Sequence, residues 1–457
     1  MARSATVHVC SECGHEEPRW HGRCPGCGEW NTLVEEARVA AGARASEPRS
    51  RVAQPVALRD VSAPEVPRLE TGIGELDRVL GGGIVPGSVV LLGGAPGIGK
   101  STLTNMVLGN LAAAGRRTLY VSGEESTAQI AMRAQRLAGE ALSVPAIAET
   151  DLDTVLATLE RDQPEVCVID SVQTLDAREL SGVPGSVGQV REVAARIVSV
   201  AKRRRIAVLL VGHVTKDGAL AGPRVLEHLV DCVLAFEGER ERSYRTVRAT
   251  KNRFGSTAEA GVFEMSHSGL VEVLDASARF VKDAVRAPGS VVLASMEGTR
   301  PLLVEIQALV TPSEIVPPRR VCNGLDRNRL ALVLAVLTRH GGVALGASDV
   351  FVNVVGGVRV EEPGADLAVA LAVASAARGV TLGCDEDGPP LAAFGELGLT
   401  GELRWVAHPE RRITEARRFG LDTVLAPRGG GATDVATLRE ALSAASVTRR
   451  HAAAVAA

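Results

Sequence analysis

Residues 88–103 read SVVLLGGAPGIGKSTL, an uncharged apolar run that breaks into glycines and resumes as a helix-forming stretch. Such a run suits a strand covered on both faces, which calls for a parallel sheet with helices above and below it. Gly94, Gly99, Lys100 and Ser101 fit the spacing G-x4-G-K-S/T, and each residue type has a physical task there. Along Gly94, Ala95, Pro96, Gly97, Ile98 and Gly99 the glycines free backbone N–H groups to turn toward an anion. The helix that follows aims its positive end at the same point. Lys100 reaches the outer phosphates, and the Ser101 hydroxyl is placed to ligate Mg2+, with Thr102 beside it in the first turn. The expected ligand is ATP with Mg2+.

Further apolar runs recur at the spacing of alternating strands and helices: RTLYVSGEES, PEVCVIDS and RIAVLLVGHVTKDG. Ligands of such sheets sit at the C-terminal ends of the strands, so the residues that close each run matter most. Asp170 ends Val166–Ile169 and is placed to hold the water shell of the magnesium; a helix N-cap is the plainer alternative. Glu124 and Glu125 end a neighbouring run. One carboxylate there can orient and deprotonate the water that attacks a γ-phosphate, and Glu124 is the preferred base. His213 closes a third run and either hydrogen-bonds the γ-phosphate or is structural.

At the N-terminus, CSECG and CPGCG place Cys10, Cys13, Cys24 and Cys27 at C-x2-C-x10-C-x2-C. Four thiolates complete the tetrahedral shell of a structural Zn2+ and leave no open position for catalysis; His15 or His21 can stand in for a thiolate but neither is needed. Trp20 and Trp30 are expected to cover the site, with contact to a partner as the alternative for an exposed aromatic. The remaining cysteines, Cys167, Cys232, Cys322 and Cys384, lie singly in apolar segments, which argues against a disulfide framework. No signal-peptide-like run and no stretch long enough to span a bilayer is evident, so a cytoplasmic protein with no membrane partner is expected. A length of 457 residues suggests two or three domains, and a net charge of −3 excludes a polycation drawn to nucleic acid by charge alone.

With Thr71–Gly83 ahead of the glycine loop, the middle of the chain resembles the RecA/KaiC class of ATPases. The order of zinc knuckles, glycine loop, the motif KNRFG at 251–255 and a distinct C-terminal region narrows this further. Over essentially the whole chain it resembles the bacterial RadA (Sms) family of DNA repair proteins, for which KNRFG is highly specific. The resemblance implies a homo-hexameric ring and a DNA-dependent ATPase. Working alongside RecA on single-stranded and branched DNA, such a ring promotes branch migration and unwinding of recombination intermediates. In such rings the nucleotide lies between subunits and a neighbour supplies cations to the transferring phosphoryl group. Lys251 is the candidate for that role; Arg253 either shares it or holds the interface and DNA loops. The alternative for both cations is a solvated strand. Two Gly- and Pro-bearing segments, 173–189 and 213–228, have the composition of mobile loops facing a channel. Arg178, Lys216 and Arg224 there, with Arg253, are the candidate DNA contacts.

From about Ala287 the pattern changes, and the apolar helix from Asp366 to Ala377 with the strands before it resembles the Lon protease domain, an α+β fold shared with the second domain of ribosomal protein S5. Lon carries its nucleophilic serine just before that helix and its partner lysine before a later one. The matching positions here are Gly364 and Glu410, which supply neither a hydroxyl nor an amine, so the domain is expected to be proteolytically inactive. Ser375 reads as interior helix packing. Arg404, Arg411, Arg412, Arg417 and Arg418 gather near one strand–helix turn and are either a DNA surface or a helix face laced with ion pairs. The expected organisation is a C4 zinc finger or ribbon over 1–36, a linker over 37–68, a RecA-like α/β ATPase core over 69–275 and the Lon-like domain over 287–457. Rival readings are an ATP-dependent protease and a KaiC-like signalling ATPase.

Overall fold

A computed structural model gives the fold of residues 6–10, 15–37, 67–137, 139–180, 183–213, 225–238, 244–282, 284–383, 389–429 and 433–446. Most of the expected linker and Cys13, Lys216, Arg224 and Cys384 lie outside the described residues. At the N-terminus β1 (Thr6–Cys10), β2 (Glu16–Glu17) and β3 (Leu33–Ala37) pair in the antiparallel order β2-β1-β3. Among the described residues its buried core consists of Cys10, Cys24 and Leu33, too little apolar area to fold by burial. The expected tryptophan lid is absent: Trp20 and Trp30 are 56% and 68% exposed. So small a sheet has no interior to take an indole, and Trp30 instead lies beneath the Arg23 guanidinium.

The apolar runs do form a sheet covered on both faces. Its strands are β4 (Val89–Gly94), β5 (Thr118–Ser122), β6 (Ala146–Ala148), β7 (Val166–Asp170), β8 (Ala207–His213), β9 (Cys232–Glu237), β10 (Tyr244–Asn252), β11 (Ala260–Ser266) and β12 (Gly269–Glu272). They lie in the order β6-β5-β7-β8-β4-β9-β10-β11-β12, parallel from β6 to β9, with β10 antiparallel to β9 and β12 antiparallel to β11. Side chains alternate across the pleat. Val90, Leu92, Val168 and Leu209 pack with α1 (Gly74–Leu80), α2 (Lys100–Ala113) and α3 (Thr127–Ala134). Leu91, Ile169, Val208 and Leu210 pack with α4 (Leu152–Asp162), α5 (Val187–Arg204) and α6 (Val225–Leu229).

Among the described residues, contacts divide the chain into two compact units, one of Met1–Glu237, Arg245–Thr257 and Phe263–Glu272, the other of Gly238–Tyr244, Ala258–Val262 and Val273–Ala457. The second unit is α+β. It comprises α7 (Ala276–Val281), β13 (Ser290–Glu297), β14 (Arg300–Pro312), β15 (Arg320–Asn323), α8 (Arg327–Gly341), β16 (Ser348–Val354), α9 (Asp366–Arg378), β17 (Ala392–Ala393), β18 (Glu396–Leu397), β19 (Leu403–Arg404), α10 (Pro409–Arg418), β20 (Val424–Pro427), β21 (Thr433–Val435) and α11 (Leu438–Ser446). The main sheet runs β15-β16-β14-β13-β17-β20-β21 and its core centres on α9, buried from Asp366 to Ser375. Ser375 accepts from Gly289 N at 2.8 Å and donates to Val380 O, as interior packing requires. Among the described residues no helix is long and apolar enough to cross a membrane.

Candidate active site

The central strand β4 delivers the glycine loop to the C-terminal edge of its sheet. At Gly94 a Cβ would stand 2.6 Å from Phe236 O of β9, and Gly99 sits at φ +120°, so both positions need glycine. Ala95, Pro96 and Gly97 form an exposed crest anchored by buried Ile98. Lys100 is 4% exposed, and its Nζ donates to Gly94 O at 2.8 Å and Ala95 O at 3.1 Å. Burial lowers its pKa from the usual lysine value, against the opposing pull of Asp170 and Glu124. Ser101 Oγ donates to Asp170 Oδ2 at 2.6 Å. A hydroxyl and a carboxylate that close, beside an anion cradle, are the hard oxygen donors magnesium takes, so these residues fit the ion. His213 is in register with Gly94 on β8, at the same edge.

Glu124 is exposed just past the end of β5, and its Oε1 accepts from Ser171 Oγ at 2.6 Å. Gly123 N donates to Asp170 O at 2.8 Å, which fastens the two strand ends together. Three neighbours escape the sequence reading. Tyr120 donates its hydroxyl to Asp170 Oδ2 at 2.7 Å, Arg133 Nη2 donates to that same hydroxyl at 3.2 Å, and Ser171 holds Glu124. Ser171 had a signal in its place directly after Asp170, and Tyr120 in its rarity, one of two tyrosines in the chain. Arg133, a helix residue among others, had none.

KNRFG lies at the opposite edge of the sheet. Lys251 pairs with Val233 and Asn252 with Cys232, beside the start of β4. Lys251 Nζ donates to Glu227 O at 2.6 Å and Val230 O at 2.9 Å, around the C-terminal end of α6. Arg253 Nη1 pairs with Asp231 Oδ1 at 3.0 Å; this aspartate is 3% exposed and also accepts from Val89 N at 3.1 Å. Phe254 is 36% exposed at the strand end. Through Val233, Lys251 is level with Leu91, three residues or roughly 10 Å before Gly94 along β4, and it lies two strands to the side, roughly another 10 Å, beyond a lysine's reach. Lys251 is thus remote from its own chain's loop.

Arg178 is exposed, with Asp151 Oδ2 at 3.4 Å. Its segment departs from the expected mobile loop as far as Leu180. Gln189 donates to Ala177 O and Leu180 O and accepts from Ala177 N, and Leu175 and Ala177 are buried. In the second unit the arginine cluster is dispersed. Arg412 is 1% exposed: Nη1 and Nη2 fork onto Glu362 at 2.7 and 2.6 Å, while Nη1 and Nε reach Ala294 O and Ala407 O. It offers nothing to DNA. Arg404 pairs with Glu402, Arg418 with Asp275 and Glu415, and Arg411 donates to Thr299 O. A Cβ on Gly364 would lie 3.0 Å from Glu362 Oε2 and 3.2 Å from Arg412 Nη1, so this pair crowds the place of the Lon serine.

In the ribbon the Sγ atoms of Cys10, Cys24 and Cys27 all lie within 4.8 Å of one another, with Cys10 and Cys27 at 3.7 Å. Tetrahedral Zn–S bonds of about 2.3 Å set sulfurs ~3.8 Å apart, so the cluster fits zinc. Gly26 N donates to Cys24 Sγ at 3.3 Å, as a knuckle turn should.

A phosphate loop on the central strand of a parallel sheet, with its acidic partner two strands away across β8, is the arrangement of RecA-like P-loop ATPases. The family model described as "Rubredoxin metal binding domain" matches residues 8–35, and one described as "Family of unknown function (DUF7125)" matches 68–263. Proteins named DNA repair protein RadA match nearly end to end: that of Pseudomonas aeruginosa is 51% identical over 94% of each chain, and that of Bacillus subtilis 45% over 93% of each. This chain belongs to the RadA family. A solved KaiC-like protein from Pyrococcus horikoshii OT3 aligns with 45% of this chain and 99% of its own at 19% identity and a TM-score of 0.39; the class rests on the sheet order above, not on that likeness.

Proposed function

We propose that the chain is a DNA-dependent ATPase of recombinational repair. It works in the cytoplasm as a homo-hexameric ring on single-stranded and branched DNA and promotes branch migration alongside RecA. The observation that supports this reading is the remoteness of Lys251 and Arg253 from their own chain's phosphate loop, which takes them out of reach of their own nucleotide and suits cations that serve a neighbour's. Its relatives are named DNA repair proteins.

In this reading the backbone of Gly94–Gly99, Lys100 and Thr102 hold the phosphates, and Ser101 and Asp170 hold magnesium, which when bound neutralises phosphate charge. Glu124, oriented by Ser171, takes the proton of the attacking water, and His213 stands beside the γ-phosphate. Lys251 lets go of Glu227 O and Val230 O to reach the adjoining subunit, with Arg253 beside it. Arg178, Lys216, Arg224 and Arg253 contact DNA phosphates, and the zinc ribbon recruits RecA. The second unit joins subunits and has no peptidase activity.

Mixing two inactive variants tests this. Lys100→Ala and Lys251→Ala should each lack turnover, while a mixture regains activity at seams that combine an intact cradle with an intact finger, about a quarter of all seams by random assembly. A mixture as dead as its components, or a fully active Lys251→Ala, overturns the reading.

A further inference from the structure

The scheme above leaves unused two side chains that stand behind Asp170. Tyr120, on β5, is 1% exposed, and its hydroxyl donates to Asp170 Oδ2 at 2.7 Å. A phenylalanine would fill the same space without a buried hydroxyl, so packing alone does not account for a tyrosine here. Arg133, from α3, donates through Nη2 to the tyrosine oxygen at 3.2 Å, and its Nη1 pairs with Glu125 Oε2 at 2.8 Å.

The direction of these bonds is forced. A guanidinium has donors and no acceptor, so the phenol oxygen must accept from Arg133 and its single hydrogen must point elsewhere, toward Asp170. Ser101 and Tyr120 therefore hold one carboxylate oxygen from two sides. At the other end of the chain of bonds, Glu125 adjoins Glu124, and the backbone N–H groups of both turn onto Ser122 Oγ at 2.8 and 3.3 Å.

We propose that Tyr120 and Arg133 are positioning residues: the relay Glu125–Arg133–Tyr120–Asp170 sets the orientation of the metal-side carboxylate according to the place of the turn that carries the candidate base. Metal-dependent nucleotide binding and base placement are then coupled before any chemistry. The inference rests on the nucleotide reading above.

The test is binding of a fluorescent, non-hydrolysable ATP analogue to the full chain, titrated with Mg2+. Tyr120→Phe should leave metal-free affinity as it is and raise the Mg2+ concentration at half-effect about tenfold, the loss of one hydrogen bond to a charged acceptor. Arg133→Ala should shift it in the same direction, and Arg133→Lys, which keeps the charge but not the fork, should recover part of the shift. Because Arg133 acts through the tyrosine, the double variant Tyr120→Phe/Arg133→Ala should be no worse than Tyr120→Phe alone. Should Tyr120→Phe fail to fold, the Arg133 pair is read in the same titration against the same expectation. An analogue that binds wild type and shows an unshifted Mg2+ midpoint in these variants overturns the proposal alone. One that never binds wild type overturns the nucleotide reading as well.

Discussion

Replacing Arg412 with methionine removes a charge that the second unit has walled in. Its guanidinium makes four hydrogen bonds, two of them a fork onto Glu362, and the side chain is 1% exposed. Breaking a buried pair from one side costs about 3–5 kcal/mol because the remaining charge is stranded. Two facts place this case near the lower end. Glu362 keeps Ser295 Oγ and Met296 N as donors at 2.8 and 2.7 Å, and its side chain is 20% exposed, so water can reach it. A loss of ~3 kcal/mol in a domain of this size lowers the midpoint by roughly 6–12 °C. Calorimetry of the full chain should show one transition moving by that much while nucleotide binding is kept. Arg412→Met/Glu362→Leu, which strands no charge, should recover at least ~1 kcal/mol. A shift under about 2 °C, or a double variant worse than the single, would refute this account of the pair.

Lys100 is charged when it holds phosphate, and burial has lowered its pKa beneath the ordinary 10.5 of lysine. Nucleotide affinity should therefore be fully present near neutral pH and fall as pH rises, beginning below 10.5; an affinity flat to that pH, measured by analogue titration, contradicts the reading. Cys24→Ala should release zinc, measured by elemental analysis, and leave the calorimetric transition of the ATPase core in place, since the metal folds only the ribbon; a metal-free wild type would count against the site.

Much of the nucleotide site was legible because its residues close apolar runs. Gly94, Asp170 and His213 each end a buried strand, Glu124 lies just past one, and a parallel sheet gathers such ends at one edge. The order of the strands was not legible. β4 lies between β8 and β9 through pairings more than a hundred residues apart, which no local period encodes. Composition misled at Arg412, where five arginines near one turn suggested a shared surface. Helical spacing is the better guide: Arg412, Ile413 and Ala416 form the buried stripe of α10, while Arg411, Arg417 and Arg418 stay outside it. The tryptophans failed for a related reason, since an indole is buried only where there is an interior to bury it.

One arrangement pulls against local energetics. Lys251 is the next-to-last residue of β10 and Arg253 follows the strand's end, and their like charges oppose each other. Burial first, and then the charge of Arg253, lowers the Lys251 pKa. Asp231 offsets part of this by taking Arg253, yet it is itself engaged by Val89 N and has Lys202 at 3.4 Å. Lys251 donates to two backbone carbonyls, and the charges of Asp231 and Glu227 favour its charged form without cancelling burial and Arg253. An external phosphate group changes the sign of the argument: beside a multiply charged anion the two cations no longer repel at a cost, and the carbonyls that held Lys251 become a resting place it leaves on assembly. On the proposed function, a cation opposed by its neighbour and held by carbonyls alone is what a group meant for an adjoining subunit's phosphate should be.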